Sequence, residues 1–152
     1  MATKRDTLDS ISATMSRIMR LSGSRAMFKR QAVAAAVELS QPSYVLLRVL
    51  ADEGPMPMGQ LARLAHMDLG MAARRVQSLL DDGMVARKPD LADARKTRVE
   101  ATATGKRAAR ALQEVRREHL QRALAQWPAA DLREFDRLLA RFLTDTTVTS
   151  ID

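Results

Sequence analysis

At 152 residues, with 46% hydrophobic but only 3% aromatic side chains, the chain fits one domain, or a small domain with extensions, whose core is built from Leu, Val, Ala and Met. It has no cysteine, which excludes disulfides, thiolate metal sites and thiol redox switches. It also lacks an apolar run of about 18 residues and an apolar leader, so the expectation is a cytoplasmic protein with no membrane span. The net charge of +7 is uneven: 8 basic and 5 acidic residues up to Gly59, 11 and 6 from Gln60 to Arg110, and 6 and 7 thereafter, so a polyanion partner is expected at the middle third.

Leu8, Ile11, Met15 and Ile18 recur at helical spacing in a segment that ends near Arg20, and Gly23 marks a break. A second helix is predicted over Arg25–Glu38. These leading helices are too thin to make a core alone, and are expected to pack on the C-terminal helices of the same chain or of a second one. Ser40-Gln41-Pro42 reads as an N-cap with proline in the first turn, and Val45, Leu46, Val49 and Leu50 form the buried stripe that follows. Gly54-Pro55 ends that helix. A short one is predicted over Gly59–Ala65 with Leu61, Ala62, Leu64 and Ala65 inward, and His66-Met67-Asp68 forms the turn after it.

The next helix, Leu69–Asp82, has Asp68 as N-cap and Gly83 as the residue just past its end. At 100° per residue, Leu69, Ala72, Ala73, Val76, Leu79 and Leu80 share one side, while Gly70, Met71, Arg74, Gln77, Ser78 and Asp81 share the other and Arg75 lies on the border. Met84–Lys88 is a strand ended by Pro89. Thr97, Val99 and Ala101 alternate with Lys96, Arg98 and Glu100 as a second strand, and the charged tip from Asp90 to Arg95 has little to bury. Thr102 can cap a helix over Ala103–Gln126, striped by Leu112, Val115, Leu120, Ala123 and Leu124 and ended by Trp127-Pro128. A last helix over Ala129–Leu143 carries Leu132, Phe135, Leu138, Leu139, Phe142 and Leu143. At ~25 cal/mol per Å² those side chains represent roughly 10 kcal/mol of burial that seeks a partner, most simply the same region of a second chain. Thr144–Asp152 is polar and expected to fray.

The outward face of Leu69–Asp82 offers Arg74, Gln77 and Ser78 to base edges or phosphates, with Met71 free for a thymine methyl. The hairpin adds Arg87, Lys88, Arg95, Lys96 and Arg98 for a phosphate backbone or minor groove, and Arg63 and Arg75 join the backbone set. No catalytic constellation is present. His66 and His119 are the only histidines and lie on different segments, and there is no Gly-rich phosphate loop and no converging Ser/His/Asp group, so no enzyme, metal or cofactor is expected.

The run Asp93-Ala-Arg95-Lys-Thr-Arg-Val99-Glu-Ala101-Thr102-Ala-Thr-Gly105 resembles the wing signature of the MarR family of bacterial transcriptional regulators. Asp93, Arg95, Val99, Thr102 and Gly105 match that signature. Ala101 stands where the family usually has Leu, and Met58 where it usually has a Ser or Thr cap. Leu61-Ala62 and Asp82-Gly83-Met84-Val85 also match, and the resemblance extends over roughly residues 8–143.

The resemblance implies a mainly α protein with a small β-wing (α+β), a winged helix-turn-helix with N- and C-terminal dimerisation helices. Residues 40–102 would form the DNA-binding lobe, 1–39 and 103–143 the dimerisation helices, and 144–152 a flexible tail. It implies a homodimer on a pseudo-palindromic double-stranded operator, associated with the nucleoid when bound, with Arg95 reaching DNA and Asp93 orienting it. Leu8, Ile11, Leu132, Phe135, Leu139 and Phe142 would serve dimerisation. A repressor released by a small phenolic or lipophilic effector is the family's commoner mode, and Met15, Met19, Met27 and Tyr44 would lie near its pocket, although the same methionines can simply fill a core poor in aromatics. Two rival expectations are a helical dimerisation module that uses the winged lobe to bind protein, and a nonspecific DNA-binding protein.

Overall fold

The computed structural model describes residues 1–151. Its elements in chain order are α1 (Lys4–Ser22), α2 (Arg25–Ala34), α3 (Gln41–Glu53), α4 (Met58–Leu64), α5 (Leu69–Asp81), β1 (Val85–Pro89), β2 (Thr97–Ala101), α6 (Ala103–Ala123) and α7 (Ala129–Val148). The chain forms two compact units, the first Met1–Arg116 and the second from Arg117 onward.

The core of the first unit is assembled around α3. Ser40 starts this helix by accepting a hydrogen bond from the Ser43 N–H through Oγ at 3.2 Å, and Pro42 occupies the first turn, where a missing N–H costs nothing. The face it buries is Tyr44, Leu46, Leu47 and Leu50, whereas the predicted Val45 and Val49 are only half-buried; the inward stripe is rotated from the expected one because Tyr44 and Leu47 turn inward. Against it pack Leu61 and Ala62 of α4, Ala72, Val76 and Leu79 of α5, Val85, Val99 and Ala101 of the strands, and Ala109 of α6. Full burial of a Leu or Val stabilises by ~1.5–3 kcal/mol, so this small cluster can hold the lobe without large aromatics. A second cluster joins Phe28 and Ala32 of α2 to Tyr44 and Leu112. Leu64 and Leu69, expected inward, are instead exposed, because α4 ends at Leu64 and Leu69 is the first residue of α5.

Three helices stop by one device. After α2, α4 and α5 the chain enters the left-handed region at Ala36 (φ 53°), His66 (φ 50°) and Gly83 (φ 69°). In each case the next residue donates back across the turn: Val37 N–H to the Ala32 carbonyl, Met67 N–H to Ala62 and Met84 N–H to Leu79. Gly83 announces this in the sequence. Ala36 and His66 do not, since an L side chain is disfavoured there by ~1–2 kcal/mol, which is why α2 ends at Ala34 and not at the expected Glu38. At the start of α4, Pro57 and not Met58 is the cap residue, and no side chain caps the helix.

The strands pair antiparallel from Val85 opposite Ala101 to Pro89 opposite Thr97. Met56, between α3 and α4, adds an isolated antiparallel bridge on the other side of β2: its N–H donates to the Val99 carbonyl at 3.0 Å and the Val99 N–H donates back at 2.8 Å. Where β2 meets α6, Thr102 donates through Oγ1 to the Gly83 carbonyl at 2.7 Å and through its N–H to Met84 at 3.0 Å, while its Oγ1 caps α6 by accepting from Gly105 N–H at 3.1 Å.

In the second unit, Trp127 meets Phe135 edge-on at 5.4 Å and Leu124 and Leu132 are half-buried, but α7 has no buried residue. This helix continues past Leu143 to Val148, so most of the predicted tail is helical. The hydroxyls of Thr144, Thr146 and Thr147 donate to carbonyls four residues back, and Arg141 pairs with Asp145. Asp152 of that predicted tail lies outside the described residues.

Gly105 is buried, and a Cβ there would run into the Met84 carbonyl and crowd Leu47. Gly105→Ala is therefore expected to destabilise the lobe by ~1–3 kcal/mol or more, read as a lower urea or thermal midpoint; an unshifted midpoint would contradict this packing.

Candidate nucleic-acid interface

Helices α4 and α5 form a helix-turn-helix. The turn between them is set by His66 in its left-handed conformation and by Asp68, whose Oδ1 accepts from the Met71 N–H at 3.0 Å and so starts α5. Ala72, Val76 and Leu79 lock one side of α5 into the core, each at most 1% exposed. The opposite side is left to solvent: Gly70, Met71, Arg74, Gln77, Ser78 and Asp81 are all exposed, as the helical period predicts. Gln77 donates through Nε2 to Asp81 Oδ1 at 3.0 Å, which draws its amide along the helix.

Arg75 is half-buried. With Met71 it lines a cleft of about 450 Å³ against Arg25, Phe28 and the start of α3 at Ser40–Pro42. Arg63 stands exposed on α4.

The hairpin forms the wing. Its inner end is anchored by Val85, Val99 and Ala101 in the core, and its outer end carries the charge. Arg95 donates its backbone N–H to Asp93 Oδ1 at 3.1 Å and faces the same oxygen through Nε at 3.3 Å, yet its side chain stays 92% exposed. Arg87 and Lys96 are exposed and form no ion pair among the described residues.

Two of the expected wing cations are ion-paired within the hairpin, Lys88 while still 62% exposed and Arg98 at 32%. Lys88 pairs diagonally with Glu100 of the neighbouring strand, and Arg98 is drawn onto Asp90, with Nε 3.4 Å from Oδ2. The sequence pattern counts Arg98 and Lys88 with the other wing cations and does not show these pairs, because alternation fixes a strand face but not the partner across it.

The sequence pattern places Asp90 in the charged tip but assigns it no role, although an Asp opening a turn is a known signal. Its Oδ1 accepts from the Ala92 and Asp93 N–H groups at 2.8 and 3.3 Å, and its own N–H donates to the Lys96 carbonyl at 2.8 Å. The Ala92 hydrogen bond, more than the Asp93 bond and the nearby Arg98 and Lys96 charges, holds its carboxyl below the ordinary carboxylate range.

Of the residues expected near an effector, Tyr44 lies buried against Phe28, their ring centroids 6.1 Å apart, with the Arg116 guanidinium 4.6 Å from its centroid. Arg116 also donates through Nε to Gln31 Oε1 at 2.9 Å. Tyr44, Arg48, Val49, Asp52 and Arg116 line a cleft of about 360 Å³. Met15 and Met27 are half-buried and Met19 is exposed, and none of the three lines that cleft. Among the described residues no group of three His, Cys, Asp or Glu side chains is placed to hold a metal ion.

A helix-turn-helix with a polar outward face, flanked by a basic wing, is the geometry of a module that reads duplex DNA. The model of the MarR family matches residues 39–97, which span α3 to the start of β2. The chain is 31% identical over 119 residues to the HTH-type transcriptional repressor Rv2887 of Mycobacterium tuberculosis, covering 76% of this chain and 86% of that one. It is 29% identical over 117 residues to the uncharacterized HTH-type transcriptional regulator YxaD of Bacillus subtilis, covering 77% and 82%. The fold is similar to that of a MarR family protein from Bacillus stearothermophilus, with a TM-score of 0.80 at 20% identity over 96% of this chain and 99% of that one. The chain therefore belongs to the MarR family and is a DNA-binding transcriptional regulator.

Proposed function

We propose that the protein is a homodimeric, sequence-specific repressor that α5 seats in the major groove and that a small effector releases. The observation that carries this reading is the division of α5 into a buried face and an exposed polar one. Arg74, Gln77 and Ser78 read base edges, with Met71 placed for a thymine methyl. Arg63, Arg75, Arg87, Arg95 and Lys96 meet phosphates or the minor groove, a role in which Lys88 and Arg98 take part only if their internal pairs open. The repressor assignment is supported by the name of the mycobacterial relative. The protein acts on chromosomal DNA in the cytoplasm and needs no enzymatic activity for this.

Dimerisation is supported by two helices without a buried residue, α1 and α7. Leu8, Ile11, Phe135, Leu139 and Phe142 are each 40–55% exposed, and Leu132 is half-buried. An isolated chain has no reason to leave such stripes in water, and a second copy would cover them. The segments 1–39 and 103–143 then act as the dimerisation arms of the 40–102 lobe. Two recognition helices one turn apart require a pseudo-palindromic operator with half-sites ~10 bp centre to centre. Small lipophilic or phenolic molecules are the effector class, and the cleft lined by Tyr44 and Arg116 is the candidate site. An effector releases DNA only by binding better to an arrangement that DNA does not favour.

Arg74→Ala should reduce discrimination between operator bases by ~1–3 kcal/mol, measured on a duplex that the wild-type protein selects from a random pool and on single-base variants of it; undiminished discrimination would remove Arg74 from base reading. Arg95→Ala should weaken binding to every duplex and lower the salt slope by about one unit, so an unaltered slope would leave the Asp93–Arg95 pair a purely structural feature. Phe135→Glu combined with Leu139→Glu should turn a dimer into a monomer in sedimentation, and a wild-type protein that already sediments as a monomer would overturn the dimer reading.

A further inference from the structure

Asp90 is the most heavily engaged side chain of the wing, and no role in DNA binding follows for it from the helix-turn-helix itself. One carboxylate oxygen closes the tip turn by accepting from the Ala92 and Asp93 N–H groups, and the other faces Arg98 Nε at 3.4 Å. Arg98 is only about one-third exposed, with its side chain at 32%, and its buried Nε makes no hydrogen bond despite lying in ion-pair range of Asp90. The pair is therefore held by charge and enclosure and not by a good hydrogen bond. A few residues away the tip presents Arg95, 92% exposed, on a turn whose geometry runs from Asp90 through Asp93 and back to the Lys96 carbonyl.

We propose that Asp90 is the positioning residue of the wing, fixing the turn that presents Arg95 to DNA while withholding Arg98 from it. This rests on the reading that the wing reaches DNA. The two functions use different oxygens and different chemistry. The turn needs an acceptor, which Asn also supplies; the hold on Arg98 needs a negative charge, and an Asn amide would instead turn a donor toward the Arg98 donor. Asp90→Asn should thus keep the tip and free Arg98, and Asp90→Ala should lose both.

Binding of a labelled duplex selected by the wild-type protein is followed across a salt series for Asp90→Asn, Asp90→Ala, Arg95→Ala and the pair Asp90→Asn with Arg98→Gln, all well below their melting temperatures. Asp90→Ala is expected to bind on the order of tenfold more weakly than Asp90→Asn, because both free Arg98 but only Asn keeps the tip that presents Arg95, whereas Asp90→Asn should bind at low salt at least as tightly as the wild type and steepen the salt slope by about one unit, a change the added Arg98→Gln abolishes. If Arg95→Ala weakens binding but Asp90→Ala binds as Asp90→Asn does and differs from it only in melting temperature, Asp90 is structural and the proposal fails while the wing reading stands. A wild-type slope in Asp90→Asn overturns the withholding of Arg98. An Arg95→Ala protein that binds as the wild type does removes the wing from DNA, and the proposal with it.

Discussion

The close approach of α6 to the end of α5 is what the rest of the lobe is built on. Gly105 lets α6 press on the Met84 carbonyl, and Thr102 ties the Gly83 and Met84 carbonyls to the start of α6. Four pieces of chain meet there: the C-terminus of α5, the first residue of β1, the last of β2 and the first turn of α6. Their register fixes how far the wing stands from α5. It also gives Thr102 and Gly105 a physical reason to be the residue types they are, a hydroxyl able to donate and accept at once and a position with no room for a Cβ.

From that junction outward, stiffness gives way to exposure. The inner half of the hairpin is buried through Val85, Val99 and Ala101 and is braced on its other side by Met56. The outer half carries charge, and the charges are not equivalent. Lys88 and Arg98 are engaged across the hairpin, whereas Arg95 is guided by Asp93 yet remains open to solvent. A count of basic residues therefore overstates the number of unpaired cations on the wing, since Glu100 and Asp90 each hold one.

Much of this was legible in the sequence, for reasons that can be named. The two faces of α5 follow from a 3.6-residue period with a strong cap at Asp68 and a glycine at position 83, so prediction and structure agree to within a residue. The Thr102 cap and the hairpin were readable in the same way. Most of what escaped depends on packing or on distant segments, Asp90 with its local turn signal being the exception. The turn at His66 is expected from the sequence, but its left-handed backbone and that of Ala36 run against residue preference, and the Met56–Val99 rungs join segments far apart in the chain. Pairing within the wing depends on cross-strand register. The last turns of α7, up to Val148, are rich in threonines whose hydroxyls bond back onto helix carbonyls, a stretch that composition alone reads as a polar tail.

On the function proposed above, the exposed face of α5 reads sequence and does not merely add positive charge. The most direct measurement is equilibrium binding of the purified protein to the duplex flanking its own coding region, against an unrelated duplex of equal length, over a rising salt series. Sequence-specific regulation of that region predicts at least a ~100-fold preference that persists as salt increases, since base-edge contacts do not release counterions. Equal and steeply salt-sensitive binding to both duplexes would contradict that claim for this region and reduce the interface there to a basic surface.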